Sequence, residues 1–396
     1  MLQGQWIERG QKVVMNTYNR FPIVLSEGKG SFVKDVNGKE YLDFVGGIAV
    51  NALGYGDEDL TEALYQQMKK MMHCSNLYWN IPGIEAAEIL IENSVFDKVF
   101  FCNSGAEAIE SCIKLARKYG KMAHGEHCYE IITMKQSFHG RTMGAITATG
   151  QEKYQIGLHP LLEGIVYGNY NDFESVKELV SEKTCAILLE PVQGEGGILP
   201  AEKEFLAKIR ELCTEKDILL IYDEVQCGIG RTGNLFAYQA YEIPPDVIAL
   251  AKGLGGGFPI GAMMATEKAA AAFKPGDHAS TFGGNPAACT AAKVVLNALL
   301  SKGILKNVKE QGKYLREKLE FLKEKYEVIS DVRGIGLLQG IELSVPAGDI
   351  IKACIEKGLL LVGAGTNVIR FVPPLTVNQA EIDKALYILE ESLKEA

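Results

Sequence analysis

The chain lacks paired cysteines. Its nine cysteines stand singly, at 74, 102, 112, 128, 185, 213, 227, 289 and 354, and no two form a Cys-x-x-Cys pair. That odd number excludes a fully paired disulfide framework and fits reduced thiols, mostly small buried hydrophobes, in a cytoplasmic protein. Positive charge is in deficit: 41 Lys and Arg against 50 Asp and Glu leave a net −9, which argues against a nucleic-acid partner. No apolar run is long enough to cross a bilayer. The opening "MLQGQWIERGQKVV" has neither the apolar core of a signal peptide nor the acid-poor, Arg/Ser-rich character of a transit peptide. Internal repeats and low-complexity tracts are missing as well. "HGEHC" (His124, His127, Cys128) lacks a second ligand pair at zinc-like spacing, so no metal is expected.

What is present is the composition of a globular enzyme, with 47% hydrophobic and 23% charged residues. A length of 396 residues predicts one large and one small domain. β-rich runs alternate with helical patterns through the middle of the chain, which predicts an α/β fold with a mainly parallel sheet. The expected strands are "KVFFCN", "EIITMK", "CAILLEPV", "ILLIYDEV", "VIALAK" and "IGAMMAT", with "AEKEFLAKIRELCTEK" as a crossover helix. Beyond about residue 286, long amphipathic helices such as "ILKNVKEQGKYLREKLEFLKEKY" enclose a short β region. The expected division is therefore a large α/β domain over 51–286 and a small α+β domain over 287–396. Residues 1–50, with a hairpin turning at Asn37-Gly38, are assigned to the smaller domain.

One lysine looks misplaced. Lys252 ends the apolar run "VIALA" and is followed by Gly253, Gly255, Gly256 and Gly257. An apolar pocket disfavours the ammonium form, and a neutral amine condenses with aldehydes. Small residues beside it let a bulky group approach the backbone. Two further strands end on acids, Glu190 and the pair Asp223-Glu224, and ligands of parallel sheets sit at such carboxyl ends. Asp223 lies about one strand–helix–strand step before Lys252. An aldehyde cofactor with a pyridinium ring accounts for both: the lysine forms the Schiff base, and the carboxylate keeps the ring nitrogen protonated. The alternative is a lysine whose stem is buried and whose head reaches water. A phosphate cradle is available in "FFCNSGAEAIES", where Ser104 and Glu107 have capping-box spacing and Ser104-Gly105-Ala106 opens a helix. The match of Gly228–Gly233 to G-x-G-x-x-G is discounted, because no clean helix opens after it.

Taken together, "NSGAEA", "SFHGRTMGA", "EPVQGEGG", "DEVQCGIGRTG", "AKGLGGGFPIGA" and "STFGGNP" resemble the class III pyridoxal-phosphate aminotransferases in order and rough spacing. The resemblance runs over nearly the whole chain. It implies the type I fold of pyridoxal-phosphate-dependent transferases, with a mainly parallel seven-stranded-type sheet, and a homodimer with shared active sites. Within the family, "TYNRFPIVL" and "HASTFGGNP" are most similar to members acting on N-acetylornithine; relatives act on ornithine, succinyl-diaminopimelate or 4-aminobutyrate. The implied reaction moves the terminal amino group of N-acetylornithine to 2-oxoglutarate, giving N-acetylglutamate 5-semialdehyde and glutamate, a step of arginine biosynthesis.

The resemblance also implies residue roles. Lys252 would bind pyridoxal 5′-phosphate covalently and shuttle the proton, and Asp223 would pair with the ring nitrogen. Val225 would pack on one ring face and Phe138 on the other, with Gln226 near the phenolic oxygen. Ser104, Gly105 and Ala106 would hold the phosphate, with Thr281 coming from the partner subunit. Arg141 and Arg370 would clamp substrate carboxylates, Ser280 would lie beside the substrate and Tyr18 at the entrance. Glu195 would gate Arg370, pairing with it for one substrate and releasing it for glutamate. Glu190 would play a structural part. Departures from the family pattern fall at Tyr55, Asp57, Ala106 and Ile109. Two rivals are an amino-group mutase, which needs no oxo-acid, and a nucleotide-binding dehydrogenase resting on "GIGRTG".

Overall fold

The structure, a computed structural model, describes residues 2–395. Strands Thr184–Leu189, Leu219–Asp223, Val247–Leu250 and Gly261–Ala265 are buried along their whole length. Such continuous burial marks a sheet covered by helices on both faces. These strands form the middle of a seven-stranded sheet. Its order is Lys98–Cys102, Gly261–Ala265, Val247–Leu250, Leu219–Asp223, Thr184–Leu189, Glu130–Met134, Ile165–Gly168. All the expected strands are there. Ile165–Gly168, at the sheet edge, was not expected: its four residues are mostly half-buried and too few to show a period.

The sheet is mainly parallel with one reversal. Gly261–Ala265 runs antiparallel to both its neighbours. The cause is length: only a short helical turn, Lys252–Gly255, and a few residues separate it from Val247–Leu250. A parallel return needs a crossover of a dozen or more residues. The expected crossover helix, Lys203–Lys216, does bring Leu219–Asp223 back parallel to Thr184–Leu189. Helix Gly105–His124 buries Ile109, Cys112, Ile113 and Ala116, one face at i, i+3, i+4 and i+7, against the sheet. Ile109 is therefore core, and an apolar side chain there is a packing choice.

Two four-stranded sheets flank this body. Phe32–Asp35 and Glu40–Asp43 form the expected hairpin, with Gly38 at φ +85° and Asp35 Oδ1 accepting the amides of Asn37 and Lys39. Glu40–Asp43 also pairs, in parallel, with Leu359–Leu360, so the N-terminal strands share a sheet with the C-terminal part of the chain. The other sheet contains Ile329–Ile335, Leu338–Leu343, Val368–Phe371 and Val362–Gly363, and it carries Arg370. Helix Pro286–Ser301 begins at the expected boundary yet packs on Glu58–Lys70, Ile81–Glu92 and the turn at Lys252. The departures at 55 and 57 have local structural roles. Tyr55 Oη donates to Asp43 Oδ2 at 2.7 Å, and Asp57 caps helix Glu58–Lys70 by accepting from the Leu60 amide at 2.9 Å. Among the described residues, no single helix is long and apolar enough to cross a membrane.

Leu220, fully buried at the centre of the sheet, sets a test of this packing. Leu220→Ala is expected to cost about 2–5 kcal/mol, read as a lowered midpoint in guanidinium denaturation. An unchanged midpoint would contradict the central placement of that strand.

Candidate active site

Adjacent strands deliver the two key charges. Asp223, the last residue of Leu219–Asp223, pairs in register with Ala249, three residues before Lys252 on the neighbouring strand. Lys252 itself sits at φ +43°, in the left-handed region that a side chain of its kind rarely adopts. Its side chain lines a cavity of about 340 Å³, together with Asp223, Glu190 and Glu195. Desolvation pulls the amine down to about 8, against the opposing pull of the surrounding carboxylates. The cavity thus holds an amine that sheds its proton as pH rises through about 8.

Asp223 is fixed on both oxygens. Oδ2 bonds His139 Nδ1 at 2.7 Å, and Oδ1 accepts the Val225 amide at 2.9 Å. His139 is buried, and its Nε2 has no hydrogen-bond partner among the described residues. Glu190, also buried, accepts the amides of Phe138 at 3.1 Å and Gly194 at 3.3 Å. Burial, reinforced by the nearby Asp223 charge, holds its carboxyl well above the usual range. Glu224 points elsewhere: it accepts the amides of Ala237 and Tyr238, and burial pushes it to about 7.

The opposite kind of pair lies beside the lysine. Arg370 is almost fully exluded from water and forms an ion pair with Glu195. Its guanidinium also donates to Gln226 Oε1 at 3.0 Å, and Gln226 Nε2 lies 3.4 Å from Glu195. Burial raises the Glu195 carboxyl, but Arg370 and Lys252 outweigh it and hold the group below its ordinary value.

At the cavity's other end, Ser104 is the N-cap of helix Gly105–His124, its Oγ accepting the Glu107 amide at 3.2 Å. The capping box is only half made: the Glu107 carboxylate bonds the amide and side chain of Asn103, at 2.7 and 2.9 Å, and not the Ser104 amide. The first-turn amides of Gly105 and Ala106 have no partner within the helix, and both residues line the cavity. A Cβ on Gly105 would come within 2.7 Å of Val225 Cγ1, so this wall closes only because residue 105 has no side chain.

The structure therefore gathers Lys252, Asp223, Glu195, Gln226, Val225, Phe138, Ser104, Gly105 and Ala106 around one cavity, with Arg370 directly behind Glu195. Other expected residues stand apart. Ser280 meets the cavity lining through Asn103, whose Nδ2 donates to its Oγ at 3.1 Å. Thr281 is exposed next to the exposed Phe282. Arg141 is exposed, with its guanidinium 4.2 Å from the Tyr154 ring centre and 5.5 Å from that of Phe138. Tyr18 lies 70% exposed in a separate surface groove with Trp6 and Arg20. Sequence reasoning missed His139 and Asn103. His139 lay inside a quoted motif, but nothing local showed its contact to Asp223. The discounted "GIGRTG" is a tight turn whose Arg231 donates to the carbonyls of Leu337 and Pro373. Among the described residues no cluster of His, Cys, Asp and Glu could hold a metal.

A buried amine of lowered proton affinity, a fixed carboxylate on the next strand and a helix N-terminus around one cavity are the donor set that a phosphorylated pyridinium aldehyde requires. The family profile described as "Aminotransferase class-III" matches residues 13–393, and the chain belongs to that family. Its cofactor is pyridoxal 5′-phosphate. Among curated proteins, the chain is 54% identical over 382 residues to the acetylornithine aminotransferase of Clostridium acetobutylicum, covering 96% of this chain and 99% of that protein. It is likewise 54% identical over 386 residues to the acetylornithine aminotransferase of Caldanaerobacter subterraneus subsp. tengcongensis, covering 97% and 98%. Among solved structures, the ornithine aminotransferase of Toxoplasma gondii ME49 superposes with a TM-score of 0.96 at 31% identity, covering 100% and 96%. The N-acetylornithine aminotransferase of Stenotrophomonas maltophilia K279a gives 0.85 at 38% identity, covering 98% of each chain.

The lysine's position sets a pH dependence. In cofactor-free protein, Lys252 loses its proton as pH rises through about 8. The rate at which it takes up pyridoxal phosphate, followed by visible absorption, should climb through that pH and level above it. A flat profile across that pH would contradict the buried amine.

Proposed function

We propose that the protein transfers the terminal amino group of N-acetyl-L-ornithine to 2-oxoglutarate, forming N-acetylglutamate 5-semialdehyde and glutamate in two half-reactions. The observation that carries the chemistry is the Lys252 amine, desolvated beside fixed carboxylates. The choice of donor is supported by the curated relatives, which are about half identical over nearly the whole chain.

Ser104, Gly105 and Ala106 would hold the cofactor's phosphate, Asp223 its ring nitrogen, Lys252 its aldehyde carbon, and Val225 and Phe138 would enclose the ring, with Gln226 near its phenolic oxygen. Once bound, that cofactor supplies an electron sink for a carbanion beside the amine. Nζ of Lys252 would take the proton from the substrate carbon and hand it to the cofactor's C4′, which requires the neutral amine. His139, through its bond to Asp223 Oδ2, keeps the carboxylate oriented. Arg370 would bind the α-carboxylate of glutamate as a bidentate fork, since guanidinium matches carboxylate geometry.

Only one of the two amino donors presents its α-carboxylate near the reacting amine, so Arg370 must be neutralised for the other. The pairing with Glu195 supplies that neutralisation. Arg141, which has no carboxylate partner among the described residues, would take the remote carboxylate of the acylated donor, with Ser280 beside it and Tyr18 at the entrance. Thr281 would serve the site of a second subunit in a homodimer, consistent with its exposure beside Phe282.

Adding N-acetylornithine, ornithine, succinyl-diaminopimelate and 4-aminobutyrate singly to the holoenzyme, without acceptor, tests the donor. N-acetylornithine should bleach the visible band fastest, and 2-oxoglutarate should restore it. Faster bleaching by another amine would overturn the donor, and no bleaching by any would overturn the reading. Glu195→Ala should slow the acylated-diamine half-reaction about tenfold or more while slowing the glutamate half-reaction less. Equal losses in both would contradict the gate.

A further inference from the structure

The segment carrying Arg141 is held by a side chain from a different element. Arg141 is followed by Thr142 and the short helix Met143–Ala148, whose N-cap Thr142 makes no side-chain cap of its own. The amides at the start of a helix lack partners within it and need an acceptor from elsewhere. Here Glu110, on helix Gly105–His124, supplies it. Its Oε1 accepts from the Gly144 amide at 2.9 Å, from the Ala145 amide at 3.2 Å and from Thr142 Oγ1 at 2.5 Å. A Cβ on Gly144 would come within 2.5 Å of Glu110 Oε2, so the carboxylate reaches these groups only because residue 144 is glycine. Helix Gly105–His124 is the one whose first residues line the cavity. Arg141 leans on Tyr154 and on Phe138, another cavity residue.

We infer that Glu110 is a positioning residue for substrate specificity: it fixes the Arg141 guanidinium at a set distance from the cavity, acting on carboxylate-bearing amines through Arg141. The inference rests on the proposed role of Arg141 as a carboxylate clamp. A carboxylate that accepts three donors on one oxygen stays put, because leaving would orphan two backbone amides and a hydroxyl. With the carboxylate gone, the 142–145 turn loosens, and Arg141, three residues before Gly144, loses its register. A displaced clamp weakens binding of the carboxylate and leaves the amine-reacting groups where they were.

The test is steady-state kinetics on holoenzyme variants Glu110→Ala and Gly144→Ala, the second displacing the carboxylate without removing it. The donor is whichever carboxylate-bearing amine the unmodified enzyme converts, so an error in the donor's identity leaves this test standing. The comparison substrate is the same amine without its carboxylate; for N-acetylornithine this is N-acetylputrescine. KM for the carboxylate-bearing amine should rise about tenfold in each variant, with kcat falling less. KM for its decarboxylated counterpart should not follow, and the visible band of bound cofactor should persist. The double variant Glu110→Ala/Arg141→Ala should be no worse than Arg141→Ala alone, because the two act as one unit. Equal losses on both amines, or a double variant showing the full product of the single effects, would overturn the inference. So would an unchanged KM for the carboxylate-bearing amine in both single variants.

Discussion

The structure turns on one constraint: the Lys252 amine must stay uncharged enough to react while held beside carboxylates that favour its charge. Burial wins over attraction, and the amine is pulled down to about 8 from the basicity of an exposed lysine. Everything nearby serves that balance. The apolar strand Val247–Leu250 brings the lysine to the sheet's carboxyl edge, and the backbone accepts a positive φ at Lys252 to turn its side chain into the cavity. A strained backbone at this point persists because flanking strands on both sides fix it.

The neighbouring acids are kept from competing by the same means. Glu190 is buried against amides and pushed toward its neutral form, whereas Asp223 has His139 on one oxygen and an amide on the other. Glu195 is occupied by Arg370. Each carboxylate thus has a separate assignment, which is how several acids share one cavity without mutual repulsion spoiling the site. Arg370 reaches this place from the sheet built by the C-terminal part of the chain, and Gly197, two residues past Glu195, accepts from Arg333 of that same sheet at 2.7 Å. The Glu195–Arg370 pair therefore ties the segment after Thr184–Leu189 to the C-terminal sheet.

Much of this was legible in the sequence because the signals were local. Three of the buried strands ended at a residue whose charge contradicted the apolar run before it, and Asp223, Glu190 and Lys252 were found that way. The helix after Ser104 announced itself by its apolar spacing and its cap. The antiparallel course of Gly261–Ala265 was not read from the sequence, although the short connection after Lys252 accounts for it. What escaped was long-range. His139 meets Asp223 across 84 residues, and Asn103 meets Ser280 across 177; neither distance leaves a trace in composition or period. Glu110 carries no local signal of its part: its carboxylate accepts the amides of Gly144 and Ala145, more than thirty residues on. Ser280, Thr281 and Tyr18 came from resemblance alone, and a single chain leaves each of them outside the cavity lining.

The most direct test of the central claim is to reduce the holoenzyme with borohydride, digest it and locate the modified peptide by mass spectrometry. The account predicts pyridoxyl phosphate on Lys252, in the peptide containing "ALAKGLGGG", with the visible band lost on reduction. Modification of a different lysine, or none, would contradict it.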